Sequence, residues 1–98
     1  MLVLPIKKKW FDMIKSGEKK EEYREIKPYY NKRFKNAFGF EYKDRKAEII
    51  LRNGYSRKAP TIKCLCTLGL GYGKEEWGAK PNKTYYILKI QEILREGE

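Results

Sequence analysis

The segment Ala47-Glu48-Ile49-Ile50-Leu51-Arg52-Asn53-Gly54, followed by Lys58-Ala59-Pro60 and then Thr61-Ile62-Lys63-Cys64-Leu65-Cys66-Thr67-Leu68-Gly69-Leu70, decides the fold class. Ala47–Arg52 and Thr61–Leu70 read as two strands, and Asn53-Gly54 is a strong turn pair that ends the first. No crossover helix separates them, which favours a mostly antiparallel sheet over a doubly wound one. Downstream, Gly69-Leu70-Gly71-Tyr72-Gly73 is expected to loosen the chain, and Lys74–Trp77 to form one helical turn. Thr84–Leu94 then begins as a further strand, with Tyr85, Ile87 and Lys89 alternating against Tyr86, Leu88 and Ile90.

Upstream, residues 2–6 read as a short strand with Pro5 near its end, where a missing amide donor is tolerated. Trp10, Met13 and Ile14 recur at helical spacing within Lys7–Ser16, and Gly17 follows as a helix terminator. Lys7–Lys9 stand at the positive end of that helix dipole, a small electrostatic penalty that reads either as placement for a ligand or, the safer reading, as an ordinary solvated face. Pro28 suits the first turn of a second helix carrying Tyr29, Tyr30, Arg33 and Phe34, with a loop from Ala37 to Arg45. The order is β-α-β-α-β-β-(short α)-β. It predicts one α+β domain over residues 1–98, a mixed, mostly antiparallel sheet curled into a small β-barrel with two or three short helices.

Charge narrows the partners. Lys and Arg number 23 against 13 acids, a net charge of +10, which suits polyanions such as nucleic acid. No window approaches the ~20 apolar residues of a spanning helix. The expected setting is therefore the cytoplasm, without membrane attachment, and the expected state a monomer. The chain has no histidine, which removes Ser-His-Asp and Cys-His catalysis and His-ligated metal sites. Cys64 and Cys66 share one face of a strand and read as small buried hydrophobes; neither a metal nor a cofactor is expected.

Acid–base chemistry must then run through other side chains, and Gly17-Glu18-Lys19-Lys20-Glu21-Glu22-Tyr23-Arg24-Glu25 concentrates them. On a strand Glu22 and Arg24 share a face, while Lys19 has the opposite parity and joins them only from the turn after Gly17. Such a cluster gives Arg24 a fork for phosphate or carboxylate, Glu22 a role in orienting it or taking a proton, and Lys19 a point charge or a base. An ordinary ion-pair cluster is the structural alternative. Gly69-x-Gly71-x-Gly73-Lys74 lacks the spacing and the Ser/Thr of a phosphate loop. Aromatic and basic residues interleave around Tyr29, Tyr55 and Trp77, the pattern of a cationic groove with stacking platforms.

Directly behind the helix Trp10-Phe11-Asp12-Met13-Ile14-Lys15-Ser16-Gly17, the G-x-K-x-x-E-x-R run of Gly17, Lys19, Glu22 and Arg24 resembles the ASCH domain family, whose fold is related to the PUA RNA-binding domain. The resemblance spans essentially the whole chain, through the β-rich remainder to Tyr85-Tyr86-Ile87-Leu88. Arg52-Asn53-Gly54-Tyr55 and Glu76-Trp77-Gly78-Ala79 are similar to small ASCH proteins of bacterial and phage genomes. It implies a β-barrel of about six elements around a cleft floored by the motif, holding RNA or a nucleoside derivative. One branch of the family hydrolyses the amide of N4-acetylcytidine with the motif Lys, a Thr at position 22 and a distal Glu; others act as ribonucleases. Carried over, Lys19 and Arg24 match the motif, Glu75 or Glu76 the distal carboxylate, and Glu22 departs from the amidohydrolase pattern.

The resulting expectation is an RNA- or nucleotide-binding domain. Arg24, Tyr29, Arg52, Tyr55, Arg57, Lys58, Lys74 and Trp77 are its candidate contacts, and Lys19, Glu22 and Glu76 its candidate catalytic groups. The rivals are a metal-independent ribonuclease or nucleoside amidohydrolase, and a basic protein-interaction module.

Overall fold

The computed structural model describes residues 1–97 as an α+β unit with a five-stranded mixed sheet, two α-helices and a short 3-10 turn. Its elements are β1 (Leu2–Ile6), α1 (Lys8–Ser16), β2 (Glu21–Arg24), α2 (Pro28–Phe38), β3 (Lys46–Asn53), β4 (Thr61–Tyr72), the 3-10 turn Glu75–Trp77, and β5 (Thr84–Gly97). The sheet runs β1-β3-β4-β5-β2; β1 and β3 are parallel and the other three pairs antiparallel. The five strands are those of the order read from the sequence, one fewer than the six elements the family resemblance implies, and no backbone ladder joins β1 to β2, so hydrogen-bonded pairing does not close the sheet.

Alternation explains which face is inside. Leu4 and Ile6 of β1, Ile49 and Leu51 of β3, and Ile62, Cys64, Cys66 and Leu68 of β4 form one buried surface. Phe11 and Ile14 of α1 and Phe34 and Phe38 of α2 pack against it. Both cysteines are free thiols within this core.

Three boundaries differ from the sequence expectation. Helix α2 continues through Ala37 and Phe38, because Phe38 buries beside Phe34 with ring centroids 6.4 Å apart. Strand β4 continues through Gly69 and Gly71 to Tyr72, since β5 pairs with it there, Gly69 opposite Ile87 and Gly71 opposite Tyr85. Tertiary pairing thus overrides the weak strand preference of glycine. Asn53-Gly54 opens a longer loop over residues 54–60, in which the Gly54 N–H donates to the Ile6 carbonyl at 3.0 Å.

Two local devices place the site. Gly17, at φ 88°, ends α1, and the Lys19 N–H folds back to the Met13 carbonyl at 2.9 Å, so Lys19 leaves the turn before β2 begins. Pro5 lies on an edge strand, where its missing amide is harmless and its carbonyl remains available.

Candidate functional site

The motif residues converge. Lys19 is 1% exposed and Glu22 6%, which makes them the buried charged pair of the core. Lys19 Nζ lies 3.2 Å from Glu22 Oε1 and donates to the Trp77 carbonyl. Its remaining surroundings are the ring faces of Trp10 and Tyr23, at 5.0 and 4.9 Å, which suit a desolvated cation. Arg24 completes the cluster, donating from Nε and Nη2 to Glu22 Oε2 at 3.1 and 2.7 Å. It also donates from Nη2 to the Pro5 carbonyl at 2.8 Å and from Nη1 to the Tyr30 hydroxyl at 3.1 Å.

Two cations thus share one carboxylate, and the buried cluster carries an excess positive charge. Burial lowers the pKa of Lys19 from its ordinary value, with Glu22 pulling the other way less strongly. For Arg24 burial opposes the charge, but Glu22 and the Tyr30 hydroxyl outweigh it and the pKa is raised. Arg24 is held as a structural fork, and most of its donors are spent inside the protein rather than left for a phosphate.

Glu22 and Arg24 of this cluster floor a cleft of about 650 Å³ bounded by β1, the start of α1, β2, the start of α2, and residues 53–55 and 78–85, while Lys19 is buried and is not part of the lining. Its lining includes Lys7, Lys8, Arg24, Lys27, Lys80 and Lys83 against Glu22 and Glu25. Lys83 is partly neutralised by Glu25 at 3.4 Å. The wall over residues 73–80 is clasped by tyrosines: Lys74 N–H donates to the Tyr23 hydroxyl and Lys80 N–H to the Tyr85 hydroxyl, both at 2.9 Å. Gly73 lies against the Tyr23 ring, where an added Cβ would meet Cζ at 2.6 Å. Burial raises the Tyr23 phenol above its ordinary pKa, so it holds its proton for Glu21, 2.7 Å away.

Not every expected residue gathers here. Tyr55 lines the cleft and is 88% exposed. Arg57 and Lys58 are exposed on the neighbouring loop, and Arg52 lies on the sheet face opposite the core with its Nε buried and unpartnered; none of the three is part of the lining. Tyr29 is exposed on α2, but Arg33 already stacks on its ring at 3.5 Å. Trp77 was expected as an exposed platform; it is half-buried, with Lys74 Nζ 4.5 Å from its ring centroid, and it serves Lys19 through its backbone carbonyl. Glu76 and Lys74 line a separate groove beside Pro81 and Asn82.

The cleft also uses residues that sequence reasoning passed over, above all Trp10, Tyr23, Tyr30 and Tyr85. One of them was accessible: Tyr30 and Phe34 lie four apart on α2, which puts Tyr30 on the inward face of that helix. Comparison with protein-family models, curated proteins and solved structures finds no match.

Proposed function

We propose that this chain is an ASCH-like, PUA-related domain that binds RNA or a nucleotide in the cleft above Lys19, Glu22 and Arg24. In this reading its sheet acts as a small barrel whose β1–β2 seam is spanned by Arg24. The observation that carries the proposal is the cleft itself. Its volume of about 650 Å³ falls within the range of small-ligand sites, and Lys7, Lys8, Lys27, Lys80 and Lys83 are among its lining residues. Flexible lysines make salt-sensitive contacts with phosphate, and an exposed tyrosine at the mouth offers a face on which a base can stack.

Binding is favoured over turnover because Lys19 is enclosed, with donors committed to Glu22 and Trp77. The hydrolase reading draws support from the lowered Lys19 pKa, but the distal carboxylate it requires, Glu76, lines another groove. The test is fluorescence anisotropy of a labelled single-stranded RNA, followed over time across a salt series, for wild type and a Lys27→Ala/Lys80→Ala variant. A stable, salt-sensitive signal weakened in the variant supports the binding module. A signal that rises and then decays as RNA is cut moves the assignment to a ribonuclease. No signal with RNA or with mononucleotides at low salt removes the reading.

A further inference from the structure

The buried groups on the cleft floor do not exhaust one another's hydrogen-bonding capacity. A carboxylate offers about four acceptor positions. On Glu22, Oε2 takes Nε and Nη2 of Arg24 and Oε1 takes Lys19, which leaves one position on Oε1. A guanidinium has about five N–H donors. Arg24 commits Nε to Glu22, Nη2 to Glu22 and Pro5, and one hydrogen of Nη1 to Tyr30, which leaves the second Nη1 hydrogen. The Tyr30 hydroxyl accepts that bond, and its own proton meets no acceptor among the described residues. Lys19 has nothing to add, since its third donor faces the Trp10 and Tyr23 rings.

The residues with capacity left, Glu22, Arg24 and Tyr30, all line the cleft. Together they present one acceptor beside two donors, and the donors are close enough, 3.1 Å between Arg24 Nη1 and the Tyr30 oxygen, to address a single oxygen atom. A carbonyl oxygen has the two lone pairs that such a pair needs.

Building on the nucleotide reading above, we propose that the cleft floor recognises the lactam edge of a nucleobase, the ring N–H beside a carbonyl that uracil and guanine carry. Glu22 Oε1 accepts from the ring N–H, while Arg24 Nη1 and the Tyr30 hydroxyl donate to the carbonyl oxygen. Cytosine and adenine can turn an amino N–H to Glu22 Oε1, but the ring nitrogen beside it has a single lone pair, so one of the two donors, Arg24 Nη1 or the Tyr30 hydroxyl, stays unmet. Buried polar groups left unpaired by the wrong ligand are a strong source of discrimination.

Isothermal titration of the wild-type protein with the uridine, guanosine, cytidine and adenosine monophosphates and with ribose phosphate tests this. The uridine and guanosine nucleotides should bind roughly tenfold more tightly than the cytidine nucleotide or ribose phosphate, the ratio expected for about one well-made buried hydrogen bond. Tyr30→Phe should reduce that ratio, weakening the uridine and guanosine nucleotides more than ribose phosphate. Equal affinity for all four nucleotides and ribose phosphate would overturn the lactam proposal while leaving phosphate binding in place. No binding by any of them, together with no RNA binding, would remove the nucleotide reading and this proposal with it.

Discussion

The Arg24 guanidinium on β2 donates to the Pro5 carbonyl on β1 across 2.8 Å, joining the two edges of the sheet through a single side chain. A proline on an edge strand is usually noted for the donor it lacks. Here the acceptor it keeps is what matters, because it gives the seam a partner that the strand ladder does not supply. The same guanidinium holds Glu22 and Tyr30, so seam closure and cleft floor share one residue.

Arg24→Lys should therefore be far from conservative. An ammonium has no planar fork and cannot reach Glu22, Tyr30 and Pro5 together. The expected loss is about 2 kcal/mol, the scale of hydrogen bonds to a charged group, read by denaturant unfolding. Amides of residues 3–6 should exchange faster as well. Unchanged stability and exchange would mean that other contacts hold the seam.

The Lys19–Glu22–Arg24 cluster has an asymmetry that mutation can expose. Glu22→Gln leaves the buried Lys19 and the partly buried Arg24 without a counter-ion and should cost about 3–5 kcal/mol. Lys19→Met keeps an apolar stem and leaves Glu22 and Arg24 as a neutral pair. Its main loss is the bond to the Trp77 carbonyl, about 1–3 kcal/mol. Thermal denaturation should rank Glu22→Gln well below Lys19→Met; the reverse order would contradict this account of the cluster.

The pH dependence follows from the direction of the Lys19 shift. Its folded pKa is lowered from 10.5, so between that lowered value and 10.5 the unfolded chain binds more protons. Below this window both states hold the proton and the burial penalty is felt in full. Within it the penalty is relieved, so stability should gain a contribution as pH rises. Tyr23 acts in the opposite sense: its raised pKa removes stability as pH climbs past its ordinary value of 10.0. The difference in unfolding free energy between wild type and Lys19→Met, followed from about pH 7 to about pH 10, isolates the lysine. That difference should increase with pH; a flat profile would mean that the Lys19 pKa is not lowered.

Much of the fold was legible because alternation is a local signal: Ile49 and Leu51, or Ile62, Cys64 and Cys66, declare their inward face without help from distant residues. The site was half legible for the same reason. Glu22 and Arg24 share strand parity, and Gly17 marks the turn that lets Lys19 join them. The rest depended on long-range placement. Nothing local in Trp77 says that its carbonyl will cap a lysine 58 positions away, and nothing in Tyr85 says that its hydroxyl will hold the Lys80 amide. The strand running on through Gly69 and Gly71 was likewise set by β5, not by its own residues.

Gly73 should tolerate no side chain. A Cβ there would stand 2.6 Å from Tyr23 Cζ and 2.7 Å from the Ala79 methyl, and neither group is the far end of a flexible chain. Gly73→Ala should destabilise by about 1–3 kcal/mol through overpacking. Because Gly73 begins the wall that carries the Trp77 carbonyl to Lys19, binding should weaken too. Wild-type stability and affinity would show that this wall shifts freely.

Tyr55 separates affinity from stability. At 88% exposure it contributes little to folding, so Tyr55→Ala should change unfolding free energy by less than about 0.5 kcal/mol. If its ring stacks on a base at the cleft mouth, the same change should weaken single-stranded RNA by about 1–3 kcal/mol. Stacking involves no phosphate, so the slope of log affinity against log salt should stay as in wild type. Lys27→Ala should behave in the complementary way, reducing that slope by about 0.7 if Lys27 meets one phosphate. Anisotropy titrations of both variants over a salt series distinguish the two effects. An unchanged affinity for Tyr55→Ala would place the bound base deeper, against the floor formed by Glu22, Arg24 and Tyr30.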